Sequence, residues 1–166
     1  MAIWERSSRG DARARPLADR HYNRQKIGAP QFVPPGRCLV LLTPGADALW
    51  VTSYPYAEYV QHAWAGAMMN SLFRNENPEH CASDLIRAAV EETCKEWTPP
   101  PMGLVSFVDP QHVRPTRRRG QDIYGYCYLK AGFRHVGYTK KGLWAWQWLP
   151  PYMLEPLEWP KLPVVN

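Results

Sequence analysis

Asp109 is the residue whose position best suits acid–base chemistry. It ends an apolar run from Met102 to Val108, which is typical of a buried parallel strand. Such a strand would deliver the carboxylate to the crevice at the carboxyl ends of an α/β sheet, where ligands bind. Partial desolvation there raises the pKa of a carboxyl group and suits it to accepting a proton. The alternative is that Asp109, which precedes Pro110, caps a turn.

His21 and Tyr22 are a second candidate, because they place an imidazole and a phenol side by side in a polar stretch. Such a pair can orient a nucleobase, shuttle a proton or ligate a metal. An ordinary pair of surface side chains is the alternative.

Arg74 and Ser83 flank the start of a predicted helix. The unpaired backbone N–H groups of a helix start form an anion site, to which Ser83 would add a hydroxyl group and Arg74 a charge. A phosphate-bearing cofactor could dock there, although the segment has no glycine-rich loop. A capped helix start without a ligand is the alternative.

Arg117, Arg118 and Arg119 form the densest positive run of the chain. Twenty Lys and Arg against 15 Asp and Glu leave a net charge of +5, which favours an anionic partner. Clustered arginines supply salt-dependent phosphate contacts, so this run could hold a polyanion. A solvated loop is the alternative. Further on, the phenol of Tyr128 could serve as an acid or as a hydrogen-bond donor.

The elements that must position these residues follow from hydrophobic periodicity and from the turn residues. Strands alternate with helices, which predicts an α/β fold whose mixed sheet is flanked by helices. Trp144, Trp146 and Trp148 alternate on one strand and are predicted to be core residues. Strands are predicted at 38–42, 49–54, 67–74, 102–108, 134–139 and 143–149, and helices from 80–83 to Pro99 and over 121–130 with Gly132 as C-cap.

The length of 166 residues predicts one domain over 18–149, between a basic N-terminal arm at 1–17 and a proline-rich strap at 150–166. Four widely spaced cysteines indicate neither a zinc knuckle nor a disulfide scaffold. No apolar stretch is long enough to cross a bilayer, and the N-terminus lacks a secretory signal. A soluble, cytoplasmic protein without a membrane partner is therefore expected.

The sequence from Tyr128 to Phe133, followed by Gly137 and Thr139, resembles the ending of the GNAT superfamily of N-acetyltransferases. Within that superfamily the chain is similar to the Mom-type DNA modification proteins of phages. The matching motifs occur in the same order as in those proteins: His21-Tyr22-Asn23, His80-Cys81-Ala82-Ser83, Phe107-Val108-Asp109, and Tyr128 to Phe133.

This resemblance implies a single GNAT-like α/β domain that modifies the exocyclic amine of adenine in double-stranded DNA and protects the DNA from restriction in a bacterial host cell. His21, Tyr22, Ser83 and Asp109 are the site residues that it carries over. It implies an acyl donor, either acetyl-CoA or another, and it is compatible with an iron ion held by His21, Tyr22 and Asp109.

Roles for the residues follow from this reaction. Asp109 would remove or steer a proton of the poorly nucleophilic amine, and Tyr128 would protonate a leaving group. His21 and Tyr22 would position the base, while Ser83 and the helix start would hold the donor. Because the amine is paired in a duplex, the base must be flipped. The arginines at 117–119 would grip the DNA backbone.

Two other functions remain open. A coenzyme A-dependent N-acetyltransferase of a small amine or a protein would bind coenzyme A tightly, and its substrate binding would depend little on salt. A non-catalytic DNA-binding, anti-restriction protein would keep its biological activity after Asp109→Ala.

Overall fold

Residues 2–151 are described by a computed structural model, in which they form two units, 2–55 with 69–98 and 56–68 with 99–151. The chain is α/β, with several strands and few helices, as its pattern predicts. From residue 152 onward, the predicted strap lies outside the described residues.

Four antiparallel strands form the sheet of the first unit. In spatial order they are β1 (Glu5–Ser7), β2 (Arg37–Leu42), β3 (Ala48–Tyr54) and β4 (Met68–Asn75). The strands predicted at 38–42, 49–54 and 67–74 are confirmed. β2 and β3 are buried along almost their whole length, which explains why their sequences are apolar without alternation.

Both faces of this sheet are covered within the first unit. On one face, α1 (Arg15–Asp19) and Phe32 pack on β2, β3 and β4. On the other, Thr52 of β3 hydrogen-bonds to Thr93 of α2 (Ala82–Glu96), with 2.8 Å between the hydroxyl oxygens. The buried residues of α2 recur at helical spacing, as predicted: Ser83, Leu85, Ile86, Ala89, Val90 and Thr93.

The N-terminal segment, predicted as a basic arm at 1–17, is part of the first unit. β1 pairs with β2, and the Trp4 Nε1–H donates to the Leu85 carbonyl oxygen at 3.0 Å. Ala14 and Leu17 are buried in the core. The segment has few apolar residues, but Trp4, Ala14 and Leu17 are among them and are buried. Burying a tryptophan ring contributes as much to stability as burying several aliphatic groups.

The second unit contains a three-stranded antiparallel sheet and a separate hairpin. β5 (Leu104–Val108) pairs with β9 (Trp144–Trp148), which also pairs with β8 (Arg134–Tyr138). The hairpin joins β6 (Thr116–Arg118) to β7 (Gln121–Ile123). The predicted strands at 102–108, 134–139 and 143–149 are confirmed. Of the three tryptophans predicted to be core residues, Trp146 is buried, whereas Trp144 and Trp148 are half-buried.

The helix predicted over 121–130 is only half present, as α3 (Tyr126–Lys130). Residues 121–123 pair as a strand instead. Gly125 separates the two elements with a φ of 92°, and a Cβ atom there would lie 2.5 Å from Trp146 Nε1. The C-cap of α3 is Ala131, not Gly132 as predicted. Gly132 follows it with a φ of 96° and ends the helix, and the Phe133 N–H donates to the Tyr128 carbonyl oxygen at 3.0 Å.

Candidate functional sites in the two units

His21 is held as a neutral ring. Its Nδ1 accepts a hydrogen bond from the Asn23 backbone N–H at 3.1 Å, and the ring also bonds to the backbone of Phe73. Burial lowers its pKa to about 4, and the nearby Arg74 guanidinium acts in the same direction. An uncharged imidazole with these bonds fixes the shape of the segment, so His21 is a positioning residue.

Asn23 joins the same segment to an irregularity of β4. Val51 pairs with Leu72 and Thr52 with Asn70, so Ser71 is the extra residue of a β-bulge. The Asn23 Nδ2–H donates to the Ser71 carbonyl oxygen at 2.8 Å. The bulge thus exposes a carbonyl group that anchors the His21–Asn23 segment.

The side chain of Asn70 holds this bulge. It is 7% exposed, and its Nδ2 donates to the carbonyl oxygens of Val51 at 3.1 Å and Leu72 at 2.8 Å. These bonds satisfy carbonyl groups that lose their partners where the bulge interrupts the hydrogen bonding between β3 and β4. No sequence signal pointed to Asn70, because an asparagine within a strand pattern does not by itself predict a bulge.

Tyr22 stacks on the His21 ring, with 4.5 Å between the centroids and 26° between the planes. Its side chain is partly open to solvent, and the residue is 40% exposed. A phenol supported from behind by a fixed imidazole can stack on a planar ligand.

The charge of Arg74 is compensated within the first unit. Arg74 forms an ion pair with Glu76, and Glu76 also binds Arg20 at 2.8 Å. The Arg74 Nη1–H donates to the Arg20 carbonyl oxygen at 2.8 Å. These contacts, with Arg20 as the largest cause, lower the pKa of Glu76 to about 2. Arg74 ties β4 to the segment before His21, and a phosphate there would have to compete with Glu76.

Ser83 does not cap α2, although the sequence predicted a cap there. The N-cap is Cys81, and Ser83 is 3% exposed with its Oγ 3.3 Å from the Cys81 Sγ. Asp84 supplies a carboxylate in the first turn, which already complements the helix dipole. Ser83, Arg74 and the start of α2 therefore do not fit a phosphate-bearing donor.

A cavity of about 470 Å³ lies beside the His21–Asn23 segment. Its wall combines the amides of Asn23, Gln25 and Gln31 with the apolar side chains of Phe32 and Leu72. An amide can form two hydrogen bonds with the edge of a base, and apolar walls suit the faces of its ring. Sequence reasoning missed Gln25 and Gln31, because no pattern predicted that this loop would line a cavity.

Arg24 shapes the loop that forms this wall. Its side chain is 6% exposed and binds Asp19 at 2.8 Å. It also donates to the carbonyl oxygens of Gln31 at 2.9 Å and Ala29 at 2.7 Å. Asp19 in turn accepts the Gly28 N–H at 3.0 Å. The buried guanidinium is thus an internal brace.

Asp109 in the second unit follows β5, as predicted, but its environment differs from the expected one. Its Oδ1 accepts the Gln111 N–H at 2.9 Å, and its Oδ2 lies 2.9 Å from the His112 Nδ1. The pKa of Asp109 is lowered, chiefly by the Gln111 N–H and further by His112. The expectation of a raised pKa is wrong, because backbone and imidazole donors outweigh the desolvation.

His112 is a residue that sequence reasoning missed. Asp109 caps the turn after β5, and the same turn brings His112, three residues later, onto its carboxylate. A carboxylate close to Nδ1 favours the tautomer that carries its proton on that nitrogen. The spacing Asp-Pro-x-His was the available signal.

The predicted basic run forms the β6–β7 hairpin of the second unit, with Arg119 and Gly120 in its turn. Arg117 binds Asp122 across the hairpin at 3.0 Å. The Arg118 guanidinium carbon lies 5.1 Å from the centre of the Tyr126 ring. The three arginines therefore have different environments.

Tyr128 is 6% exposed, and its ring packs edge-on against Phe133 with 5.3 Å between the centroids. This ring belongs to the interior of the second unit. The predicted role as a proton donor to a leaving group therefore has no support in its surroundings.

The predicted iron ligands do not fit a metal ion. The Nδ1 of His21 accepts the Asn23 N–H, and the ring bonds to Phe73. Among residues 2–151, no group of three or more His, Cys, Asp or Glu side chains could hold a metal ion.

The site residues predicted from the sequence are divided between the units. His21, Tyr22, Arg74 and Ser83 lie in the first, and Asp109, Tyr128 and the arginines at 117–119 in the second.

None of the helices in the described part of the chain has the length and apolar character that crossing a bilayer requires. Comparison of the chain with models of protein families, with curated proteins and with solved structures yields no match.

Proposed function

We propose that this protein modifies the exocyclic amine of adenine in double-stranded DNA through a GNAT-like acyltransferase reaction. The observation that carries the proposal is the cavity beside the His21–Asn23 segment, whose wall offers amides and apolar faces. A base flipped out of a duplex needs this combination, because its edge requires hydrogen bonds and its ring requires apolar contact.

In this proposal, Gln25 and Gln31 hydrogen-bond the adenine edge, and Phe32 and Leu72 contact its faces. Tyr22 stacks on the neighbouring nucleotide, supported by the neutral ring of His21. Asn23 keeps the segment on the β4 bulge. Each of these residues binds or positions the substrate and takes no part in proton transfer.

Acyl transfer to the adenine amine forms an N–C bond while the bond between the acyl carbon and the sulfur of a thioester donor breaks. The adenine amine is a poor nucleophile, and removal of its proton by a general base would contribute about 10²- to 10⁴-fold to the rate of this step. The thiolate that leaves the donor takes up the proton. Asp109 and His112 of the second unit form a pair of their own, with 2.9 Å between Oδ2 and Nδ1.

Mass spectrometry of nucleosides tests this proposal, using DNA from cells that express the protein. A new adenine derivative is expected, and its amount should fall at least about tenfold in Gln25→Leu/Gln31→Leu. Lys95→Gln, an exposed change on α2, is the matched control and should leave the amount unchanged. No adenine derivative in several hosts would refute the proposal, and full modification by Gln25→Leu/Gln31→Leu would remove the cavity from it.

A second candidate is a DNA-binding protein without catalysis, and one observation favours it. The Asp109 carboxylate is bound within its own turn, which is what a purely structural cap does. This candidate predicts tight DNA binding with no adenine derivative, and Asp109→Ala should then leave DNA binding unchanged.

A further inference from the structure

The turn of the β6–β7 hairpin has an unusual residue in its first position. Arg118 pairs with Gln121, so Arg119 and Gly120 form a two-residue loop. Their φ values are 50° and 75°. Two-residue hairpin loops with positive φ at both positions strongly favour Asn, Asp or Gly in the first. An arginine there adopts a backbone conformation that side chains with a Cβ atom rarely take.

The three arginines of the hairpin differ in what they contact. Arg117 is paired with Asp122 across the strands, and Arg118 lies over the Tyr126 ring. Arg119 is exposed at the tip, and within the described residues its side chain has no hydrogen bond, ion pair or ring contact. A strained, exposed arginine without an internal partner adds nothing visible to the fold, and such strain is typical of functional positions.

We infer that Arg119, held at the tip of the β6–β7 hairpin, is the arginine of this run that binds a backbone phosphate of duplex DNA, whereas Arg117 and Arg118 contact Asp122 and the Tyr126 ring. This inference rests on the DNA partner of the proposed function. It replaces the expectation that all three arginines grip the backbone equally.

Duplex DNA fits this element for two reasons. The hairpin is a narrow two-stranded ribbon that carries its unpaired charge at the end, so the guanidinium can reach a phosphate without moving the sheet of the second unit. The run also lies in a chain with a net charge of +5, which favours association with a polyanion. A guanidinium binds two phosphate oxygens at once, which a neutral amide cannot reproduce.

The test compares wild type with Arg119→Asn in binding to a fluorescein-labelled duplex of mixed sequence, measured by anisotropy between about 50 and 200 mM NaCl. Asparagine suits the turn better than arginine, so the thermal unfolding midpoint should stay equal or rise. Affinity should fall roughly five- to tenfold at about 0.1 M salt, because a phosphate contact is lost. The slope of log K against log salt should become smaller by about 1.

Two controls separate the contact from a general charge effect. Lys95→Gln removes one positive charge from an exposed position on α2 and should leave the slope unchanged. Arg119→Lys should retain most of the slope, since it keeps the charge at the tip. An unchanged slope in Arg119→Asn would overturn the inference, as would a loss confined to one DNA sequence, which indicates base readout.

The outcome is independent of whether adenine is modified. If wild type binds DNA with the Arg119-dependent slope and forms no adenine derivative, the proposed modification fails and the inference stands. If wild type modifies adenine and Arg119→Asn binds DNA like wild type, the inference fails and the proposed function stands.

Discussion

Arg24 in the first unit and Arg119 in the second have the same side chain in opposite environments. The Arg24 side chain is 6% exposed and binds Asp19 and two backbone carbonyl groups. Arg119 is exposed on a turn with a φ of 50°, and within residues 2–151 its guanidinium has no hydrogen bond, ion pair or ring contact. A charge that a carboxylate and carbonyl groups satisfy internally supports the fold, whereas an unsatisfied charge at a strained turn is available to a ligand.

Arg24→Met gives the largest expected effect and tests the first half of this comparison. It keeps most of the side-chain volume but leaves Asp19 and the carbonyl oxygens of Ala29 and Gln31 without their donor. The Arg24 side chain is 6% exposed and that of Asp19 is 25% exposed, so the loss comes mainly from carbonyl groups left without a donor and amounts to about 1–2 kcal/mol. Urea unfolding should show this loss, while Arg117→Met, at an exposed position, should change stability by less than about 0.5 kcal/mol. Equal losses in the two variants would contradict the comparison.

His21 gives an intermediate effect, through pH. Its pKa is lowered from 6.5 to about 4 in the folded chain, so the unfolded chain binds the proton first. The stabilisation is therefore complete above pH 6.5 and is lost as the pH falls towards 4. Partial burial keeps this loss below the loss of about 1–2 kcal/mol expected for Arg24→Met.

The measurement is urea unfolding across this pH range, with NMR titration of the ring. His21→Asn should remove this part of the acid sensitivity, and His112→Asn, at an exposed position in the second unit, should retain it. A ring of His21 that titrates at its ordinary pKa would show that burial does not hold it neutral.

Asp122→Asn gives the smallest effect and tests the second half of the comparison. The pair with Arg117 is exposed, with 68% and 45% of the two side chains accessible. Such pairs contribute about 0.5 kcal/mol or less, so urea unfolding should change little. A loss of stability above about 1 kcal/mol would mean that the hairpin depends on this pair. Arg117 would then support the fold, as Arg24 does in the first unit.

The sequence predicted the main strands and α2, because their apolar runs and helical spacing are local signals that burial preserves. It failed at 121–130, where the apolar and aromatic residues allowed a helix. The deciding interactions were the pairing of 121–123 with 116–118 and the close approach of Gly125 to Trp146. The contact between Gly125 and Trp146 joins residues that are distant along the chain, so no short window of sequence contains it. The hairpin is local, but an arginine in the first position of its turn is not a typical turn signal.

The candidate sites show the same division. His21, Tyr22, Asp109 and the arginines at 117–119 stood out because of their residue types and neighbours. The charge and the hydrogen-bond partners of these side chains did not follow from their residue types. The pKa of Asp109 was expected to be raised, but neighbouring N–H donors lower it. Arg74 was expected to bind a phosphate, but its guanidinium forms an ion pair with Glu76.

By itself, the sequence determined the α/β class, the order of most strands and the positive charge, because these depend on composition and on local periodicity. Only the tertiary structure decided that Ser71 forms a bulge, that His112 meets Asp109 and that Arg119 lacks the partners of its neighbours. Hydrogen bonds and ion pairs act over a few ångströms in space, so the partners that set the state of a side chain are known only once the chain has folded.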